Sequence, residues 1–167
     1  HSLSAINSTS IKERFCPQSK TTKIVTSEDV SISQLQIKTI NNNLIPVQVN
    51  LSAVTKQSRG FSLEIYERKG TLILSSDNQK DYVHGFGLWL SNQGEVLKNI
   101  QPDSDISFSK IWTDGRIAPV ARIQRWWVKS IKDGTPIIPG LVEGLSSQKV
   151  CDKVKESNST GMKLKID

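Results

Sequence analysis

Apolar residues recur along the 167-residue chain with two periods, and the change from one to the other organises it. Up to about residue 100 the period is two. Ile45, Val47, Val49, Leu51 and Ala53 alternate with Gln48, Asn50 and Ser52, the pattern of a strand with one wet face. Val30, Ile32, Leu35 and Ile37 begin the strand before it, with a slip between Ile32 and Leu35 that a bulge would absorb. Asn41-Asn42-Asn43 is a turn signal, so these two strands form a hairpin. Residues 3–15 alternate in stretches and read as a first strand running into Cys16-Pro17. Phe61, Leu63, Ile65 and the strand at 71–74 make a second hairpin through Arg68-Lys69-Gly70. Residues 82–90 continue as a strand containing Gly85 and Gly87, which implies a bend or a close contact. Gly94 turns the chain toward a strand at 96–100, and 102–115 reads as a long loop holding Ile106, Phe108, Ile111 and Trp112.

After that loop the period becomes helical. Val120, Ile123, Trp127 and Ile131 share one face of a helix, while Arg122, Arg125, Lys129 and Lys132 fall on the other. Pro119 suits the first turn and Gly134 the left-handed end, with Pro136 and Pro139 preventing continuation. A second helix starts near Leu141 and ends between Ser157 and Gly161, before a short strand at 162–166. Gly144 inside it costs about 1 kcal/mol relative to Ala, so another backbone is expected to pass close to it. Strands in series followed by two helices predict an α+β fold, a mostly antiparallel open sheet with two C-terminal helices packed on it.

Composition narrows the classes. With 36% hydrophobic residues, 1–167 is expected to form a single domain able to bury a core without staples. No apolar run reaches the roughly 18 residues of a membrane span and the start shows no signal-peptide pattern, so no membrane partner and a cytoplasmic location are expected. Cys16 and Cys151 lack metal-ligand spacing and read as two free thiols, Cys151 as a small buried hydrophobe between Val150 and Val154. The net charge of +6 comes from scattered Lys and Arg, and the basic stripe on the first helix lacks interleaved aromatics, so no nucleic-acid partner is expected. His1 carries no role.

The C-terminal pattern is specific in combination. Ser130-Ile131 with Gly134 and Pro136, Gly144-Leu145 with Gln148 and Val150, and Ser157 with Gly161 before an alternating strand resemble the end of the glucose-fructose oxidoreductase/inositol dehydrogenase (Gfo/Idh/MocA) family. Ser62-Leu63-Glu64-Ile65-Tyr66 followed by Gly70-Thr71-Leu72 resembles a strand pair of the same family, and residues 26–53 resemble the two long strands before it. The resemblance covers nearly the whole chain. It implies the C-terminal substrate-binding and oligomerisation domain of an NAD(P)-dependent oxidoreductase acting on a sugar, polyol or related hydroxy compound.

The family's N-terminal dinucleotide-binding domain, with its Gly-rich turn and the Lys of its Glu-Lys-Pro motif, has no counterpart here. The resemblance therefore implies NAD or NADP for a longer parent and no cofactor in this chain, which would be inert alone. Gly85-x-Gly87 lies within a strand and lacks the helix a phosphate loop requires. Asp81-x-x-His84 has the wrong spacing for the family's Asp-x-x-x-His motif, and His84 without a visible partner reads as a structural or surface histidine. No catalytic set, metal set or nucleophilic triad emerges. Relatives bring polar and aromatic groups of the segment before the first helix to the substrate, which makes Lys110, Trp112, Arg116 and Arg122 the candidate substrate-binding residues; their structural alternative is a solvated loop and helix face.

Two further expectations follow. Ile73 lies between Leu72 and Leu74, and Trp89 shares a strand with Phe86, Leu88 and Leu90, so both sides of part of the sheet carry apolar groups. A homodimer through the sheet would bury them. The competing reading is a non-catalytic sugar-binding regulator or scaffold on the same fold.

Overall fold

The computed structural model describes residues 1–57, 60–76, 86–101 and 108–166. The chain forms two compact units, His1–Lys56 with Ile138–Asp167, and Gln57–Ile137.

In the first unit, β1 (Ser2–Ser8), β4 (Val30–Lys38) and β5 (Leu44–Ser52) form an antiparallel sheet, and β10 (Leu164–Lys165) joins the far edge of β1. The stretch 3–15 is not one strand: β1 ends at Ser8, and β2 (Glu13–Cys16) pairs with β3 (Thr21–Ile24) as a separate hairpin. Asp29 makes that break, because its carboxylate accepts the backbone N–H groups of Ser10 (2.7 Å) and Ile11 (2.9 Å) and so satisfies donors a continuing strand would have paired. The expected bulge in β4 is absent. β4 pairs without interruption with β1 and β5, and Ile32 and Leu35 simply occupy opposite faces. Asn42, at φ 62°, takes the left-handed position of the β4–β5 turn, which Asn tolerates.

Register determines the faces, since residues directly opposite share one. Leu3, Leu35 and Val47 line up, as do Ala5, Ser33 and Val49. Ser4, Gln34 and Gln48 line up on the reverse side. Helix α2 (Leu141–Thr160) packs on β1 over the apolar side, where Leu3 is 0% exposed.

The docking is polar at its centre. β10 pairs only with Ser2 and Leu3, leaving the N–H groups of Ala5 and Asn7 on the same edge of β1 without a strand partner. The end of α2 supplies side chains instead: Ala5 donates to Ser157 Oγ (3.0 Å) and Asn7 to Asn158 Oδ1 (2.7 Å). Ser157, only 1% exposed, in turn donates to the carbonyl of Met162 (2.6 Å). Gly161, at φ 68°, reverses the chain between them and returns its N–H to the Ser157 carbonyl.

The N-terminal turns of α2 pack differently from expectation. A Cβ on Gly144 would meet no described atom within 4 Å, so no backbone crosses there, and Leu141 is 93% exposed. The apolar contact of α2 lies instead at Val150 and Val154, and Cys151 beside them is exposed rather than buried.

In the second unit, β6 (Phe61–Glu67), β7 (Gly70–Ser76), β8 (Gly87–Asn92) and β9 (Lys98–Ile100) form an antiparallel meander. Gly70 is required by a close approach, for a Cβ there would fall 2.0 Å from the carbonyl oxygen of Ser91. Gly87 lies under the Trp89 indole, the close contact expected of it, while Gly85, Asp81 and His84 lie outside the described residues. Register sorts the apolar groups: Leu63, Leu74, Leu88 and Ile100 share one face with Ile65, Leu72 and Leu90, and Ile73 pairs with Trp89 on the other. Helix α1 (Ile117–Asp133) ends at Gly134 as expected, at φ 65°. Its apolar face is not buried, however. Only Ala118 is, and Ile131 is 73% exposed. The architecture is α+β with antiparallel sheets and two helices.

Two predictions follow. Ser157→Ala leaves a buried N–H and a buried carbonyl without their shared partner and should lower unfolding stability by about 1–3 kcal/mol, measured by urea titration; an unchanged midpoint would mean that the helix is held by its apolar contacts alone. The Ser10 and Ile11 N–H groups hold the Asp29 carboxyl below its usual 3.8. Folding thus favours the ionised form, and this stability is present above the ordinary carboxylate pKa and is lost as pH falls through the lowered folded value. Asp29→Asn should destabilise the chain at pH 7, with the difference from the native chain shrinking on acidification below pH 3.8; a pH-independent difference would contradict this assignment.

Candidate functional site

The segment 108–125 of the second unit builds a small cavity from a loop and one helix face. Asp114 begins the construction: its Oδ1 accepts the Arg116 N–H at 3.0 Å, an Asx turn that aims the chain into α1. Pro119 then sits in the first turn with φ already helical. Ala118, Ala121, Arg122 and Arg125 follow at the spacings that place side chains on one helix face. Opposite them run Phe108, Ser109, Lys110 and Trp112, enclosing about 110 Å³. The two alanines leave the volume open, because larger residues there would fill it.

Cations and rings alternate around the wall. The Arg122 guanidinium stands 4.0 Å from the centre of the Phe108 ring, and Lys110 Nζ stands 5.0 Å from that of Trp112. Such contacts are worth about 0.5–1 kcal/mol each at exposed sites and chiefly hold the side chains in place. Of the four residues singled out in the sequence, Lys110, Trp112 and Arg122 line this cavity. Arg116 does not. It chelates Asp114 through Nε (2.9 Å) and Nη2 (2.7 Å) and borders a separate shallow depression with Ile117, Val120 and Gln124. Phe108 and Arg125 were missed as site residues. Arg125 was legible, being three residues from Arg122 and hence on the same face, whereas nothing in the sequence places Phe108 against Arg122.

The first unit holds two larger hollows. One, of about 420 Å³, lies on the polar sheet side among Gln34, Gln36, Gln48 and Lys163. The other, of about 580 Å³, is an apolar groove between β5 and α2 bordered by Leu35, Val49, Leu51, Val150 and Val154. Neither concentrates positive charge with aromatic faces as the 108–125 cavity does, so the smaller hollow is the better candidate for directional recognition.

Among the described residues no base lines the cavity beside Ser109, and no cluster of three metal-ligating side chains occurs. A dinucleotide pyrophosphate does not fit the helix starts either. The Glu143 carboxylate already accepts the Gly140 N–H at the head of α2 (2.7 Å), which holds its pKa down, and Asp114 stands before α1. An anion at the head of α2 would meet the Glu143 carboxylate, and at α1 the first N–H groups face the Asp114–Arg116 ion pair. No helix among the described residues is long and apolar enough to cross a membrane.

Comparison with known proteins matches this arrangement over nearly the whole chain. The model of the oxidoreductase family's C-terminal alpha/beta domain matches residues 12–166. A protein of Synechocystis sp. (strain ATCC 27184 / PCC 6803 / Kazusa), named as an uncharacterized oxidoreductase, is 38% identical over 158 residues, covering 94% of this chain and 42% of that protein. Levoglucosan dehydrogenase in complex with NADH and L-sorbose superposes with a TM-score of 0.70 at 15% identity, over 99% of this chain and 45% of its own. A super-repressor mutant of Gal80p from Saccharomyces cerevisiae superposes with a TM-score of 0.67 at 16% identity, over 99% of this chain and 44% of its own. The chain thus spans less than half the length of these relatives. It belongs to the Gfo/Idh/MocA oxidoreductase family, of which it carries the C-terminal alpha/beta domain.

Proposed function

We propose that residues 1–167 are the substrate-binding and oligomerisation part of an NAD(P)-dependent, cytoplasmic oxidoreductase that acts on a sugar, polyol or related hydroxy compound. The observation that carries this reading is the convergence of Lys110, Trp112 and Arg122 on one cavity in a chain of this family. In it the Trp112 ring offers an apolar face to the carbon skeleton and the cations offer donors to its oxygens. Arg116 would act from the neighbouring depression, beyond its ion pair with Asp114. Hydride transfer would be supplied by NAD or NADP held elsewhere in a longer protein, since the helix starts here are already faced by carboxylates. Free Cys16 and Cys151 fit a reducing compartment.

A second reading is favoured by the likeness to Gal80p, whose Kluyveromyces form is a transcriptional regulator: the same domain serving a sugar-binding regulator without catalysis. A Glu-Lys-Pro motif in the longer protein would favour the enzyme.

Calorimetry separates the parts. The 167-residue chain should take up at least one member of a panel of sugars, polyols and hydroxy acids, lose that uptake in Trp112→Ala, and show no uptake of NAD or NADP; micromolar dinucleotide binding would overturn the division of labour. For assembly, the half-exposed Phe61, Leu63, Ile65 and Leu90 on one side of the β6–β9 sheet are the surface proposed to meet a second copy. Light scattering at high micromolar concentration should give a dimer that Leu63→Glu converts to monomer, and a strict monomer in the unmodified chain would refute it.

A further inference from the structure

We infer that the apolar side of α1 docks on an anionic lipid surface, with the helix lying in the plane of the bilayer interface. This is independent of what the 108–125 cavity binds.

The two sides of the helix differ sharply. Ile117, Val120, Ile123, Trp127 and Ile131 follow at three- and four-residue steps and form a continuous stripe along the whole of α1, with Val128 at its edge. In a helix that covers a core such a stripe is buried. Here every one of these residues is exposed, Trp127 at 61% and Ile131 at 73%. The loop residues Phe108, Lys110 and Trp112 meet the helix on another side, at Ala118, Ala121, Arg122 and Arg125. The stripe therefore stays open while the cavity forms.

Charge selects the occupant. The side away from the stripe carries Arg122, Arg125, Lys129 and Lys132, and the one acid of the helix, Asp133, is paired with Lys129. Two copies meeting through this helix would bring surfaces of the same sign together, whereas anionic headgroups attract them. A helix is about 10 Å across, close to the Debye length of about 8–10 Å, so cations on its far side still act on lipid phosphates. Their long side chains also bend toward the headgroups as the apolar side sinks. Composition agrees. Taken together the residues of α1 are neither apolar nor polar, and a helix segregated in this way partitions to an interface rather than into hydrocarbon. No helix among the described residues is long and apolar enough to cross a bilayer, but α1 needs only to lie on one. Trp126, half exposed on the border between the two sides, has the apolar body and polar tip favoured at that depth.

The test mixes the 167-residue chain with vesicles and reads the bound fraction by sedimentation as lipid is added. Vesicles of equimolar phosphatidylglycerol and phosphatidylcholine should bind the chain at a lipid concentration at least tenfold below that needed for phosphatidylcholine alone, and added salt should narrow the gap. W127E/I131E should abolish binding to both. K129Q/K132Q should remove most of the tenfold preference, and L63E, on the β6–β9 sheet, should keep it. All the substituted side chains are exposed, so circular dichroism of each variant should match that of the native chain. Equal binding to the two vesicle types, binding retained by W127E/I131E, or a preference lost in L63E and kept in K129Q/K132Q would overturn the inference. Absence of binding to either vesicle would overturn it too, and light scattering then says what covers the stripe. An oligomer that W127E/I131E converts to monomer identifies a second copy, and a monomer throughout identifies a different protein partner.

Discussion

The hydroxyl of Ser157 joins a helix, a strand and the connection that leads into the return strand in one hydrogen-bonded group that organises the first unit. Backbone donors left on the edge of a strand must find acceptors, and β10 is too short to supply them beyond Leu3. By accepting from Ala5 and donating to Met162, Ser157 sets how far along β1 the helix ends and where the chain turns back. Asn158 repeats the device one step out, at Asn7. Leu3 beneath is then sealed, and the sheet acquires a covered side and an amide-rich side.

What the chain leaves uncovered is equally informative. Apolar groups line one side of the second sheet and one face of α1, yet most keep a third or more of their surface in contact with solvent. Large apolar surface in contact with water costs free energy in proportion to its area, so these faces are suited to partners.

At the candidate site the fold places cations beside aromatic rings, with the Asp114 carboxylate at the start of α1. These features act together. Asp114 neutralises Arg116 and turns the chain into α1, and that turn brings Arg122 and Arg125 to the cavity. The residues that line this cavity thus come from a loop and from a helix whose start is set by a local polar turn.

The sequence by itself determined the run of strands followed by two helices, the β4–β5 and β6–β7 hairpins, and the left-handed Gly134, because these depend on neighbours a few residues away, whereas the β2–β3 hairpin depends on the bonds of Asp29. It also carried the family pattern and three of the cavity's residues. Tertiary structure decided what depends on partners distant in the chain. Ile32 and Leu35 look like a slipped period in sequence but are two faces of one straight strand with neighbours on both sides. Gly144 looks like a packing contact and meets open space, because α2 is anchored at its other end by a bond between residues 152 positions apart. Arg116 shares a segment with the cavity residues in sequence, yet in the structure it chelates Asp114 and borders a separate depression. Local propensity is written in adjacent residues; which side chains share a surface is settled only when strands and helices are brought together, since the same residue is bound or free according to what packs against it.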